Sequence, residues 1–177
     1  YFRLKALYEQ GGVYLDTDVE LLRPFGDLLE LSGFAGFEDA EHVATCVLGA
    51  EKEHGFFRQA MELYEGRTFL REGGEPDLTT NVEILTGLLG RNGLEPDGAR
   101  QSVMGMEIFP AEYFSPRSLE TGKLTKTGNT YAIHWFEASW QTGSQRFHRK
   151  VAQVIGKKNT ERLKKLLGRP GGPESSG

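Results

Sequence analysis

Apolar positions in the first eight residues recur at helical spacing, with Tyr1, Leu4, Leu7 and Tyr8 on one stripe, and Gly11-Gly12 follows as a helix C-terminal stop. The period then changes. Val13-Tyr14-Leu15 is a β-prone run between Gly12 and Asp16, which predicts a short buried strand ending in Asp16-Thr17-Asp18. Pro24 opens a predicted short helix through Leu31. Two strands are expected near 33–38 and 43–50, and a second helix from 55 to about 69, where Phe56, Phe57, Ala60, Met61, Leu63 and Tyr64 form one face. A polar, Gly-rich loop over 71–76 leads to Asp77, placed to cap a third helix to about Gly90 with Thr80 and Asn81 in its first turn. Residues 102–109 and 130–135 read as strands. Beyond Ser144, Phe147, Val151, Val154 and Ile155 predict an amphipathic helix, and 160–167 another.

Strands alternating with helices predict an α/β fold, and late strands pairing antiparallel would make its sheet mixed, flanked by helices and followed by C-terminal amphipathic helices. The expected organisation is a folded domain over 1–143, a basic helical segment over 144–168 and a disordered, Pro/Gly/Ser-rich tail over 169–177.

Composition narrows the class. With 177 residues, 38% apolar and 26% charged, the chain is a soluble globular mixture able to bury a core. A formal charge of −4 argues against a nucleic-acid partner. That charge is uneven: residues 144–169 hold nine Lys/Arg against one Glu, a local +8 that leaves −12 elsewhere. A cationic face beside an apolar one permits peripheral contact with anionic lipid, and equally a plain solvated face. The lone Cys46 cannot close an internal disulfide, and its apolar surroundings read as a packed thiol. With no membrane-length apolar run and no signal peptide opening the chain, the expectation is a cytoplasmic protein, located at the inner membrane surface if the basic helices engage lipid.

The chemistry-bearing segment is the strand that ends in two carboxylates at i and i+2. Ligands of α/β sheets collect at the C-terminal ends of strands, and charge placed directly after an apolar strand needs a cation or other partners. Paired hard oxygen donors suit Mg²⁺ or Mn²⁺ with positions left for phosphate oxygens. A second cluster, His134-Trp135-Phe136-Glu137-Ala138-Ser139-Trp140, sets an imidazole, a hydroxyl and indoles just after a strand. His134 can ligate a metal or meet a phosphate, or serve as a structural histidine; Trp135 reads as core.

The run Arg3…Leu7-Tyr8-x-x-Gly11-Gly12-Val13-Tyr14-Leu15-Asp16-Thr17-Asp18, with the later His134…Ser139-Trp140, resembles the DxD-containing sugar transferases of glycosyltransferase family 32. The resemblance implies a GT-A-like fold, here partial, with 1–143 as the half that holds metal, donor sugar and acceptor. It implies a Mn²⁺ or Mg²⁺ cofactor, a UDP- or GDP-sugar donor, a glycan or other hydroxyl acceptor, and transfer with retention of configuration. By that resemblance Arg3, Tyr14, Asp16, Asp18, Ser139 and Trp140 line the donor, Asp16, Asp18 and His134 take the metal, and Glu38, Thr80 and Asn81 fall near the sugar or acceptor. No general base is assigned. The nucleoside-binding βαβ region that family members place ahead of this point is not in the sequence, and an asparagine expected near 43–46 has no counterpart.

Two other readings remain. A haloacid-dehalogenase-type phosphatase also sets D-x-D after an apolar strand, the first Asp being the nucleophile, but continues with Thr where this chain has Glu20. A fragment that binds metal or carbohydrate without turnover is the other.

Overall fold

The computed structural model describes residues 1–70, 73–119 and 121–136. The segments 144–168 and 169–177, with the amphipathic helices and tail expected there, lie outside the described residues. One compact unit comprises Tyr1–Ser118 and Leu124–Trp135. The other comprises Leu119–Lys123 and Phe136–Gly177; in its described part the Lys123 amide donates to the Thr121 hydroxyl at 3.2 Å.

Helix α1 (Phe2–Gln10) runs into strand β1 (Gly12–Leu15), and after a turn come β2 (Val19–Leu21) and a 3₁₀ turn (Gly26–Glu30). Then follow β3 (Gly33–Gly36), β4 (Val47–Ala50), α2 (Gly55–Glu62) and α3 (Asn81–Arg91). A hairpin of β5 (Gln101–Val103) and β6 (Met106–Phe109), a 3₁₀ turn (Ala111–Tyr113) and β7 (Ala132–His134) complete the unit. Five strands form one sheet in the order β1-β4-β3-β6-β5, in which only β3 and β6 run parallel. β2 and β7 make a separate antiparallel pair. The fold is α/β with a mixed sheet flanked by helices, as the alternation predicts, and is consistent with part of a GT-A-like fold.

Strand alternation divides the buried residues between the sheet's two faces. Ala35, Leu48 and Ile108 join Leu4 and Leu7 of α1, Phe56, Phe57 and Ala60 of α2, and Leu85, Leu88 and Leu89 of α3 in one cluster. Their strand neighbours Phe34, Val47 and Phe109 join Phe25, Leu28, Phe114, Tyr131 and Ala132 in another. This second core is built on rings: Phe25 stacks on Tyr131 at 6.0 Å and Tyr113 on Phe109 at 4.7 Å. Burying both faces explains why the strands read as apolar runs without polar alternation.

Two glycines allow close approaches within the sheet. Gly11 turns the chain from α1 to β1 at φ 68°, where a side chain would be strained and a Cβ would lie 2.8 Å from the Lys52 amide nitrogen. Gly49 pairs with Phe34 across β4 and β3, and a Cβ there would fall 2.0 Å from the Phe34 ring.

Several boundaries differ from the sequence expectation. α2 stops at Glu62 rather than near 69, and Gly66 sits at φ 72° in the turns that follow. Asp77 does not cap α3: it pairs with Arg67 and accepts from the Thr79 hydroxyl at 2.7 Å. Thr80 is the cap, its hydroxyl accepting from the Glu83 amide while Glu83 reaches back to the Thr80 amide at 2.6 Å. The single strand expected over 102–109 is a hairpin, folded at Met104-Gly105 with φ 55° and 78°. The helix expected after Pro24 is the 3₁₀ turn, the strands expected over 43–50 and 130–135 shorten to β4 and β7, and β2 was not anticipated.

Candidate metal and donor site

Asp16 and Asp18 stand in the turn between β1 and β2, closed by the Val19 amide donating to the Asp16 carbonyl at 3.1 Å. Because the chain bends at Thr17, the two carboxylates converge rather than run along one strand face. Asp16 is tied to the sheet on one side, its amide donating to the Cys46 carbonyl at 2.9 Å.

Asp16 is also held through its side chain. The Tyr14 hydroxyl donates to Asp16 Oδ1 at 2.7 Å, and Arg3 Nη1 lies 3.2 Å from the same oxygen. Arg3 is itself fixed: Nη1 donates to the Thr45 carbonyl at 2.7 Å and to the Thr45 hydroxyl at 3.1 Å, and the guanidinium lies 4.8 Å from the centre of the Tyr14 ring. Burial, then the bond to Asp16, push the Tyr14 phenol up to about 12, with Arg3 opposing. Tyr14 therefore stays a hydrogen-bond donor at any physiological pH.

The second half of the site comes from far along the chain. β2 pairs with β7 so that Val19 faces His134, and the Trp135 amide extends the pairing to the Asp18 carbonyl at 3.0 Å. His134 Nε2 thereby arrives 3.4 Å from Asp18 Oδ1. One donor atom from each of Asp16, Asp18 and His134 lies within 4.8 Å of the others, and all three residues are half-buried. Two carboxylate oxygens and an imidazole nitrogen on a partly sheltered floor form a donor set that a divalent cation can share with phosphate oxygens.

Of the residues singled out from sequence, Arg3, Tyr14, Asp16, Asp18 and His134 are brought together. Ser139 and Trp140 lie outside the described residues. Glu38 follows β3, half-buried; desolvation and then Asp39 push its carboxyl up, with His42 drawing it back. Thr80 is occupied by the capping of α3. The Asn81 side-chain oxygen accepts from the Tyr64 hydroxyl at 2.8 Å; burial pushes the Tyr64 phenol up, with Arg67 and then Arg3 opposing.

Trp135 is not the core residue expected. It is half-buried, its indole Nε1 donating to Glu20 Oε2 at 2.9 Å and its ring 5.6 Å from the Arg117 guanidinium, which also donates to the Trp135 carbonyl. Sequence reasoning did not single out Thr45, Glu20 or Arg117. For Thr45 a signal existed, a hydroxyl inside the otherwise apolar run Val43–Leu48; for Glu20 and Arg117 there was none, since their partners are distant in sequence.

Comparison with known proteins bears on the same segment. Residues 1–35 match the family described as "Glycosyltransferase sugar-binding region containing DXD motif". An uncharacterized protein of Arabidopsis thaliana is 31% identical over 117 residues, covering 64% of this chain and 17% of that protein. The chain thus spans less than a fifth of that relative's length. No solved structure matches significantly. The stretch that carries Arg3, Tyr14, Asp16 and Asp18 is therefore similar to the sugar-binding region of DXD-containing glycosyltransferases.

Proposed function

We propose that this chain forms the metal- and donor-binding part of a glycosyltransferase of the family 32 type, moving a sugar from a UDP- or GDP-sugar to a glycan or other hydroxyl acceptor with retention of configuration. The observation that carries the reading is the convergence of Asp16 and Asp18, which lie within the stretch that resembles a sugar-binding region, with His134 from a segment over a hundred residues away. Asp16, Asp18 and His134 would hold Mn²⁺ or Mg²⁺, the imidazole favouring Mn²⁺, and the bound cation supplies positive charge opposite the departing diphosphate.

The chain's own residues set the rest. Arg3 and Tyr14 hold Asp16 in one orientation, so that no reorganisation is needed when charge develops on the leaving group. Both site carboxylates are committed, Asp16 to Arg3 and Tyr14 and Asp18 to the cation it would share with His134, so neither is placed as a general base. The acceptor hydroxyl attacks the anomeric carbon as the bond to the diphosphate breaks, and its proton passes to the departing phosphate oxygen. The same commitment argues against the phosphatase reading, because an aspartate bonded by a phenol and a guanidinium is a poor nucleophile.

Donor turnover with Mn²⁺ tests the proposal. Asp18→Asn keeps the shape but removes a charge, and we expect it to lower turnover of the preferred UDP- or GDP-sugar by about 10² to 10³-fold, the scale of losing one preorganised electrostatic group. Turnover by Asp18→Asn equal to the parent chain would overturn the metal-assisted mechanism.

A further inference from the structure

The register of β2 against β7 decides which side chain meets Asp18. Each strand is three residues long, and a two-stranded ribbon of that length has little stability of its own. Side chains alternate across it, so a one-residue slip would present Ile133 or Trp135 where His134 now stands. Something must fix the register, and the ribbon carries one candidate. Glu20 pairs with Ile133, and Trp135 is two residues further on, which makes Glu20 and Trp135 diagonal neighbours on the face opposite His134.

They are bonded there: the Trp135 indole N–H donates to Glu20 Oε2 at 2.9 Å, while the Trp135 amide donates to the Asp18 carbonyl at 3.0 Å. Arg117 closes the clamp from another segment, donating to the Trp135 carbonyl with its guanidinium 5.6 Å from the indole ring. Trp135 is thus held at its amide, carbonyl, indole nitrogen and ring, directly beside His134. A bond from carboxylate to indole N–H is charge-assisted and stronger than a neutral pair.

We propose that Glu20 is a positioning residue for the Asp18–His134 pair, acting through Trp135 with Arg117 behind it, and that it tunes the affinity of that pair for a divalent cation. The proposal rests on the metal-site reading above. Groups that orient metal ligands from behind change metal affinity by about 10 to 100-fold when removed.

The test is Mn²⁺ titration of the full chain followed by electron paramagnetic resonance, with near-ultraviolet circular dichroism to check folding. Glu20→Ala and Trp135→Phe, which delete the acceptor and the donor of one bond, are each expected to raise the Mn²⁺ Kd at least tenfold and to alter the spectrum of the bound ion. Glu20→Gln, whose amide oxygen still accepts from the indole, is expected to stay within about threefold of the parent chain, since it keeps a neutral form of the same bond. Folded Glu20→Ala and Trp135→Phe with the parent Kd and spectrum would overturn the proposal; if Glu20→Ala does not fold, Trp135→Phe decides alone. Absence of Mn²⁺ binding by the parent chain is a different result, visible without any variant, and would bring down the metal-site reading and this inference together.

Discussion

At the scale of single residues, the site is organised around what holds Asp16. A carboxylate bonded by a phenol and a guanidinium keeps its orientation whether or not a ligand is present, and the phenol must remain protonated to do this. Because the folded state raises the Tyr14 pKa from its ordinary 10.0 to about 12, it retains that proton between these values after the unfolded chain has lost it. The contribution to stability is intact below pH 10 and is lost as pH rises through about 12. A difference absorbance titration of the parent chain against Tyr14→Phe should show an ionisation near 12; one near 10 would mean that the buried, Asp16-bonded setting of Tyr14 is absent in solution. Cys46 gives a second residue-scale prediction. Burial pushes its thiol up to about 12, and only 2% of the residue is exposed. It should resist alkylation in the native protein and react on unfolding, as a packed thiol does. The acidic pair and its tyrosine were legible in the sequence because they are neighbours in the chain. Glu20 and Arg117 were not, because each acts on a partner 18 to 115 residues away, and Thr45 left only the trace of a hydroxyl in an apolar run, its partner Arg3 being 42 residues away.

At the scale of elements, legibility followed length and burial. α1 and its glycine stop announced themselves through a stripe and two residues suited to positive φ. β2 left no mark: three residues, two of them exposed, carry too little pattern to identify a strand whose partner is over a hundred residues away. The third helix was legible but its start was misplaced, since Asp77 and Thr80 both suit a cap and only the reciprocal bond with Glu83 separates them. That choice has a measurable consequence. Thr80→Ala should cost about 1 kcal/mol and lower Tm by roughly 3 °C in a thermal melt, whereas Asp77→Ala should leave the cap intact. No loss in Thr80→Ala would remove Thr80 from the capping role.

At the scale of the whole molecule, the mixed sheet explains why the site lies where it does. β1 is an edge strand, paired on one side only with β4, and the turn after its C-terminal end leads directly into the β2–β7 ribbon. α1 packs beside α2 and against β1, which carries Arg3 to the Thr45 end of the neighbouring segment and so to Asp16. The fold class was legible from the alternation of strands and helices; the strand order was not, because nothing local specifies that β3 sits between β4 and the much later β6. Among the described residues no helix is long and apolar enough to cross a membrane. The central claim is that Asp16 and Asp18, with His134, bind a cation together with a nucleotide sugar. Calorimetry of UDP- and GDP-sugar binding with and without Mn²⁺, on this chain and on its Asp16→Ala/Asp18→Ala variant, tests it most directly. The account predicts Mn²⁺-dependent binding of one nucleotide class by the parent chain and its loss in a folded variant; binding of equal strength without Mn²⁺, or undiminished in the variant, would contradict it.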